Sequence, residues 1–113
     1  MQEDLIFHAV SRRKWTSLNN NGYFTPEDFD PETGIKCALS GNLKSYLNEH
    51  FKGRKNLFLL VIDVSRLSTS IQKSKKDGYL FLKDPINIDA ILDKIQIDSN
   101  EKGEFDLSVK SYT

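Results

Sequence analysis

The chain of 113 residues is 38% hydrophobic and 28% charged, which fits one domain with a core of its own. Sixteen basic residues balance sixteen acidic ones, and this argues against a protein whose main task is to bind nucleic acid. One cysteine excludes an intramolecular disulfide and a multi-cysteine zinc site. No apolar run approaches the roughly 20 residues that span a bilayer, and no signal-peptide pattern is present. We therefore expect a soluble cytoplasmic domain with no membrane partner.

The first half of the chain predicts two strands, each followed by a helix. Short apolar runs favour strands, and the serine after each run has the side chain of a helix N-cap. A stretch rich in proline and aspartate predicts a loop between them, and loops of this length are often functional. The predicted elements are a strand over 5–10, a helix over 12–20 begun by Ser11, a loop over 23–34, a strand over 35–39 and a helix over 41–51 begun by Ser40.

The second half predicts mainly strands. Residues 57–62 are apolar at every position, which is typical of a central strand covered on both faces. The remaining predictions are a turn over 63–67, a polar mobile segment over 68–78, a strand over 79–82, a helical turn over 90–92 capped by Asp89, and a strand over 94–98. Residues 99–113 would be a tail or an added edge strand, so a single compact domain is expected over 1–98. The order of elements predicts an α+β fold with two early helices.

Few residues indicate chemistry by themselves. His8, at the end of the first strand, could bind a ligand hydroxyl and titrate near neutrality, although a histidine bonded to backbone is the commoner outcome. Cys37 follows Lys36, but neighbouring strand residues point to opposite faces, so we expect the cysteine in the core. His50 is expected on a helix surface. The spacing of histidines, cysteine and acids fits no metal site.

A basic run at 12–14 follows Ser11 directly. It could hold a phosphate with help from the unpaired amide groups that begin a helix. Such runs are more often solvated faces. Neither a phosphate-cradling glycine loop nor a nucleophile with its base is present in the sequence.

Four segments follow one another with a specific order and spacing. They are IFHAVS at 6–11 with Trp15 and Gly22-Tyr23 beyond it, GIKCA at 34–38, FKGRKNLFLLVID at 51–63, and residues 79–91. Together they resemble a family of small bacterial domains, the domain of unknown function 952. Its corresponding motifs are G-F-I-H-C-S, F-x-G-x-x-x-L-x-L-L-x-I-D and F-P-H-L-Y-G-P-L-x-x-D-A-V. The resemblance covers residues 5–97.

This resemblance implies a fold similar to that of the ADP-ribosyltransferases. In that fold a split, twisted and mostly antiparallel sheet forms a cleft, and an early strand histidine contacts the ribose of NAD. His8 matches this histidine. Lys36, Phe81 and Lys83 stand where the family has histidine, histidine and tyrosine. Framework positions are thus retained while polar cleft positions are replaced, which implies a more cationic cleft and a loss of transferase chemistry.

The first functional hypothesis is therefore a non-catalytic module that binds a nucleotide or another phosphorylated small molecule. It has no catalytic residue and no resident cofactor or metal, and NAD or ADP-ribose are candidate ligands. His8 and Ser11 would contact the ligand, and Lys36 and Lys83 would meet phosphate as point charges.

Two alternatives from other classes stay open. An active NAD-dependent ADP-ribosyltransferase-like enzyme would take its carboxylate from Glu101 or Glu104. A protein-interaction domain without a small-molecule site would present Tyr23, Phe24 and Phe29 of the long loop to a protein partner. The competing interpretation of these aromatics, which we favour, is that they fold back onto the sheet.

Overall fold

The computed structural model describes residues 5–20, 22–26, 29, 32–73 and 79–105. This part of the chain contains two α-helices and several antiparallel sheets, which confirms the α+β class. None of its helices is long and apolar enough to cross a membrane. The strands are β1 (Leu5–Ser11), β2 (Asn19–Asn20), β3 (Tyr23–Phe24), β4 (Ile35–Cys37), β5 (Leu57–Asp63), β6 (Ile71–Lys73), β7 (Leu80–Leu82), β8 (Ile86–Asn87) and β9 (Ile91–Ile97), and the helices are α1 (Arg12–Leu18) and α2 (Leu43–His50).

The strands form three antiparallel sheets of three strands each, in the orders β1-β5-β9, β2-β3-β8 and β4-β7-β6. The first is the longest, with Leu5 of β1 opposite Asp63 of β5 and Ser11 opposite Leu57. An isolated bridge joins it to the third sheet, because Phe7 and Ala38 exchange backbone hydrogen bonds of 2.8 and 2.9 Å. This bridge holds β4 beside β1.

The sheet β1-β5-β9 separates two hydrophobic clusters, since side chains alternate between the faces of a strand. Phe7 packs on one face with Leu47 of α2. Ile6 packs on the other face with Trp15 of α1 and with the short strands. Residues 57–62 are buried almost throughout between these clusters, which confirms the predicted central strand.

Most predicted elements are present with small shifts of their ends. The predicted strands 5–10, 35–39, 57–62, 79–82 and 94–98 correspond to β1, β4, β5, β7 and β9, and the predicted helices 12–20 and 41–51 correspond to α1 and α2. Helix α1 ends early because the chain enters β2 at residue 19. Helix α2 is preceded by a short 3-10 turn over Ser40–Asn42.

Two segments predicted to lack regular structure contain strands. Residues 71–73 of the polar segment form β6, which pairs with β7, and residues 74–78 lie outside the described residues. Residues 23–24 of the predicted loop form β3, which lies between β2 and β8. Both strands are short, so pairing with a neighbour defines them more than their own sequence pattern does.

The predicted cap at Asp89 is wrong. The turn before β9 begins at Ile88, with Asn87 at the N-cap, and the Asp89 carboxylate accepts a hydrogen bond from Nδ2 of Asn87 at 2.7 Å. The buried Asn87 side chain also accepts from the Ser68 amide at 2.9 Å and donates to the Arg66 carbonyl at 2.8 Å. It thereby fastens the segment after β5 to β8.

Residues 99–105 pack beside α2. The Ser99 amide donates to the Arg54 carbonyl at 3.0 Å, and the Phe105 amide donates to Oδ1 of Asn48 at 2.8 Å. The Phe105 ring is buried in the α2 cluster. Residues 106–113, where an added edge strand is predicted to continue, lie outside the described residues, and a domain boundary at residue 98 stays a prediction.

Candidate functional site

A cleft of about 870 Å³ opens where β1, β4 and the C-terminal end of α2 meet. Residues 8–11 of β1 form one wall, residues 33–36 form the floor at β4, and residues that end and follow α2 form the opposite wall. The bridge between β1 and β4 sets the distance between the first wall and the floor. The volume falls within the range of small-molecule sites.

His8 is held in the β1 wall with 9% of its surface exposed. Its Nδ1 donates a hydrogen bond to the backbone carbonyl of Lys36 at 2.8 Å, so in the neutral ring Nε2 carries the lone pair. The Tyr46 hydroxyl lies 3.5 Å from the same nitrogen, and the Phe24 ring lies edge-on at 5.9 Å. These contacts define both the orientation and the tautomer of the imidazole.

The Lys36 ammonium is positioned by two neighbours. Its Nζ donates a hydrogen bond to Nε2 of His50 at 2.9 Å and lies 4.2 Å from the centroid of the Tyr79 ring. The face of an aromatic ring attracts a cation. The Tyr79 hydroxyl donates in turn to Oε2 of Glu49 at 3.0 Å, so Tyr79 is itself held in place.

His50 ends α2 at the mouth of the cleft. Partial desolvation of the ring and the positive charge of Lys36 lower the pKa of His50 below its ordinary value of 6.5, and the negative charge of Glu49 opposes them. The imidazole is therefore neutral near pH 7, which agrees with its accepting a hydrogen bond from an ammonium group.

The described lining of the cleft carries basic side chains and no Asp or Glu. The acidic loop residues at 27, 28 and 30 lie outside the described residues. Aromatic side chains supply apolar surface beside the cations, so the cleft suits a ligand with both an anionic and an apolar part. The basic side chains are Lys14, Lys36, Arg54, His8 and His50, and the aromatic ones include Phe29, Phe51 and Phe81.

The structure brings three of the four predicted site residues to this cleft. His8, Ser11 and Lys36 line it. Lys83 is not among its described lining residues, because β4 pairs with β7 only as far as Ile35 opposite Leu82. The next residue leaves the sheet and donates its amide to the Ser70 carbonyl at 3.3 Å.

Sequence reasoning missed Arg54 and assigned His50 to an ordinary helix surface, while Lys14 belongs to the basic run 12–14 that was predicted as able to hold a phosphate. The resemblance includes the segment that contains Arg54, but no pattern in that segment indicates which side chain faces a cavity. His50 and Lys36 meet only because the end of α2 packs across β4, which is a long-range contact.

The two glutamates of the enzyme hypothesis line a second depression, of about 820 Å³. This depression lies between α2 and residues 99–105, and its lining mixes acids with lysines. Glu101 and Glu104 belong to it and not to the described lining of the His8 cleft. The hypothesis that one of them serves as the carboxylate of an enzyme stays a prediction.

The burial of Cys37 and of the aromatic residues in the predicted loop bears on their predicted roles. Cys37 is fully buried, and burial raises the pKa of its thiol well above the ordinary range. Phe24 is also fully buried, between Trp15 and His8, so its assignment to an exposed interface is wrong. Tyr23 is 47% exposed.

In the described part of the chain no three His, Cys, Asp or Glu side chains are grouped as metal ligands.

The fold and the cleft define a class: a small α+β domain with a basic, partly aromatic cleft beside a strand histidine. The chain belongs to the family described as "Protein of unknown function (DUF952)", whose model matches residues 9–94. Membership of this family was expected from the four segments.

The fold is similar to that of a bacterial protein of solved structure, CC0527 of Caulobacter crescentus. Its crystal structure superposes with a TM-score of 0.77 at 20% identity, covering 88% of this chain and 91% of that one. The solution structure of the same protein gives a TM-score of 0.72 at 20% identity, with 88% and 90% covered. No curated protein is similar enough in sequence to this chain to count as a match.

Proposed function

We propose that the protein is a non-catalytic binding module whose cleft takes a nucleotide or another phosphorylated small molecule. The observation that carries this proposal is the lining of the cleft: three cationic side chains and two histidines, with no Asp or Glu among the described lining residues. A concave site with one sign of charge concentrates ligands of the opposite charge. Phosphate is the commonest anionic group that would need several such cations.

Each wall has a proposed role. Lys36 and Arg54 bind the phosphate, and Lys14 lies on the same side of the cleft as β1. The aromatic side chains pack against the rest of the ligand. Because His8 donates from Nδ1 to the backbone, its neutral Nε2 is suited to accept from a sugar hydroxyl. Ser11 adds a hydroxyl at the same wall.

The non-catalytic part of the proposal rests on the chemistry that group transfer requires. An ADP-ribosyltransferase stabilises a cationic, oxocarbenium-like transition state, for which a carboxylate is the usual partner. A lining dominated by cations opposes that charge. The position of Glu101 and Glu104 in the lining of the other depression supports this part of the proposal.

The relation to the ADP-ribosyltransferase fold is part of this proposal, as is a cytoplasmic location. The supporting features are the split antiparallel sheets and the position of His8 on the first long strand beside a cleft. NAD, ADP-ribose and AMP are accordingly the first ligands to test.

A thermal-shift titration with NAD, ADP-ribose, AMP and inorganic phosphate tests the proposal. A ligand at about 100 times its dissociation constant adds about 2.7 kcal/mol, which raises the Tm of a domain of this size by several degrees. Lys36→Ala should remove the shift. Lys83→Ala removes the same charge outside the described lining and should keep it.

Three other results would contradict the proposal. No shift with any ligand would exclude the cleft as a phosphate site. An equal loss of the Tm shift in Lys36→Ala and in Lys83→Ala would indicate a general effect of charge. Release of nicotinamide from NAD by the wild-type protein would show that it is an enzyme after all.

A further inference from the structure

The contact between Lys36 and His50 is unusual because a cation donates to a group that can itself become a cation. Nε2 of His50 accepts from the Lys36 ammonium at 2.9 Å, so this nitrogen cannot hold a proton while the contact lasts. Protonation of His50 would break the hydrogen bond and place two positive charges side by side at the cleft.

Aromatic and charged groups from several elements surround the contact between Lys36 and His50. From α2 the Tyr46 ring lies 5.6 Å away and Glu49 adds a negative charge. From the segment before β7, Tyr79 lies against Lys36 and donates its hydroxyl to Glu49. Arg54, which follows α2, lines the same cleft and adds a further positive charge. Lys36 is the charged group that contacts the ring directly.

We propose that Lys36 and His50 form a proton-linked subsite for an oxyanion with two negative charges, namely a terminal phosphate monoester. This inference rests on the proposed function and specifies its ligand. When the phosphate enters, one oxygen accepts from Lys36 Nζ in place of His50. The released Nε2 then takes a proton from solvent and donates it in a hydrogen bond to a second oxygen. Binding therefore consumes one proton and leaves two cations facing two negative charges.

The subsite discriminates between the candidate ligands. Each phosphoryl group in the diphosphate bridge of NAD or ADP-ribose has one ester bond and one anhydride bond and carries one negative charge. Such a group offsets the positive charge of Lys36 but not the additional positive charge of a protonated His50. AMP ends in a monoester that carries about 1.5 to 2 negative charges at pH 7. We therefore expect AMP to bind more tightly than NAD or ADP-ribose, by about tenfold, which corresponds to one pKa unit of proton linkage.

Titration calorimetry with AMP measures the linkage directly. At about pH 7.5, where a histidine of ordinary or lowered pKa is neutral, the apparent binding enthalpy should depend on the ionisation enthalpy of the buffer. The slope should show uptake of a fraction of a proton for each AMP bound, since a shift of one pKa unit leaves the bound imidazole only partly protonated at this pH. In His50→Gln the amide oxygen can still accept from Lys36, but the side chain cannot be charged, so the slope should fall to zero.

Sulfate separates protonation of the protein from protonation of the ligand, because it keeps both charges over the working range. Its affinity for the wild-type protein should rise by about tenfold between about pH 8 and pH 6, as His50 becomes charged. In His50→Gln the affinity should stay constant. Lys55→Ala, which removes a lysine of the second depression, is the matched control and should behave as wild type.

A measurement on the unaltered protein guards against a misfolded variant. The chain has two histidines, so its imidazole NMR signals are few and can be assigned with His50→Gln. Addition of AMP at constant pH should move the His50 signal toward its protonated position and leave the His8 tautomer unchanged.

The outcomes separate this inference from the proposed function. If AMP, NAD and ADP-ribose all fail to bind, the proposed function fails. If AMP binds without proton uptake, or NAD binds as tightly as AMP, the proton-linked subsite is wrong while the binding module stands. Uptake that persists in His50→Gln would assign the proton to another group and would also overturn the inference.

Discussion

The two long walls of the cleft each present a histidine, but they hold it in different ways. In the β1 wall, His8 is 9% exposed and donates to a backbone carbonyl of β4. In the α2 wall, His50 is exposed and accepts from a lysine side chain. The first contact joins a side chain to the main chain of β4, whereas the second joins two side chains at the surface. The β1 wall therefore determines the shape of the cleft, and the α2 wall tunes its charge.

This difference teaches that residue type alone does not assign a role. A histidine bonded to the backbone contributes to stability, because its loss leaves a carbonyl without a donor. A histidine bonded to a cation contributes little to stability but changes the electrostatics of a site. Substitution of His8 should consequently change the stability of the protein, whereas substitution of His50 should mainly change the electrostatics of the cleft.

The largest expected effect lies behind the β1 wall, at Phe24. Its buried ring lies 5.2 Å from Trp15 and 5.9 Å from His8, so Phe24→Ala should lower the free energy of unfolding by about 3–5 kcal/mol. Urea denaturation measures this change. Tyr23→Ala, at the exposed neighbour, should stay within about 0.5 kcal/mol. A stable Phe24→Ala protein that had lost a protein partner would instead support an interface.

The floor of the cleft should be almost as sensitive, at Gly34. This glycine has a φ of +91°, and a Cβ there would lie 2.5 Å from the Leu82 carbonyl oxygen. Gly34→Ala should therefore cost about 1–3 kcal/mol from backbone strain and should weaken phosphate binding by moving β4. Gly41→Ala is the matched control, since its Cβ would meet nothing within 4 Å. Equal stability of the two variants would refute a strained floor.

The two histidines give the most direct test of the comparison. His8→Ala leaves the Lys36 carbonyl without its donor and should cost about 1–3 kcal/mol in unfolding free energy. His50→Ala should change that free energy by less than about 0.5 kcal/mol. Both values come from the same denaturation experiment. If the order is reversed, the assignment of shape to β1 and charge to α2 is wrong.

The smallest effect is a pH dependence of stability. Because the pKa of His50 is lower in the folded chain than its ordinary 6.5, the unfolded chain binds a proton more readily. The free energy of unfolding should therefore rise with pH from the folded pKa up to 6.5 and then level off with respect to this group. His50→Gln should lack this contribution. Thermal unfolding of both proteins across that window measures the difference, and parallel curves would exclude it.

Local patterns predicted the long elements well. The apolar run 57–62 is sufficient to define a central strand, because every position needs cover on one face or the other. The short strands β3 and β6 could not be predicted, because pairing defines them: β3 pairs with the distant strand β8, and β6 pairs with the next strand, β7. The type of an element can therefore be predicted from the sequence where every position is buried. The prediction fails where a strand is defined only by its pairing with another strand.

The candidate site was predictable only in part. His8 and Lys36 were identified because a family resemblance singled out their positions. Lys83 was expected beside them, but the register that pairs Ile35 with Leu82 carries it past the end of β4. His50 was passed over because nothing in a helix sequence states which strand its end will cross. Side chains that meet through sheet register or helix docking need the tertiary structure.

The pairing of β1 with β5 has a consequence for the time course of folding. Leu5 lies opposite Asp63, so the strand that carries His8 is fixed by contacts between distant parts of the chain. Domains dominated by such pairings tend to fold slowly. The cleft needs β1, β4 and α2 assembled together, so it should be complete only late in folding. A bound phosphate compound should therefore slow unfolding while leaving the rate of folding almost unchanged, and stopped-flow measurements with and without AMP would show it.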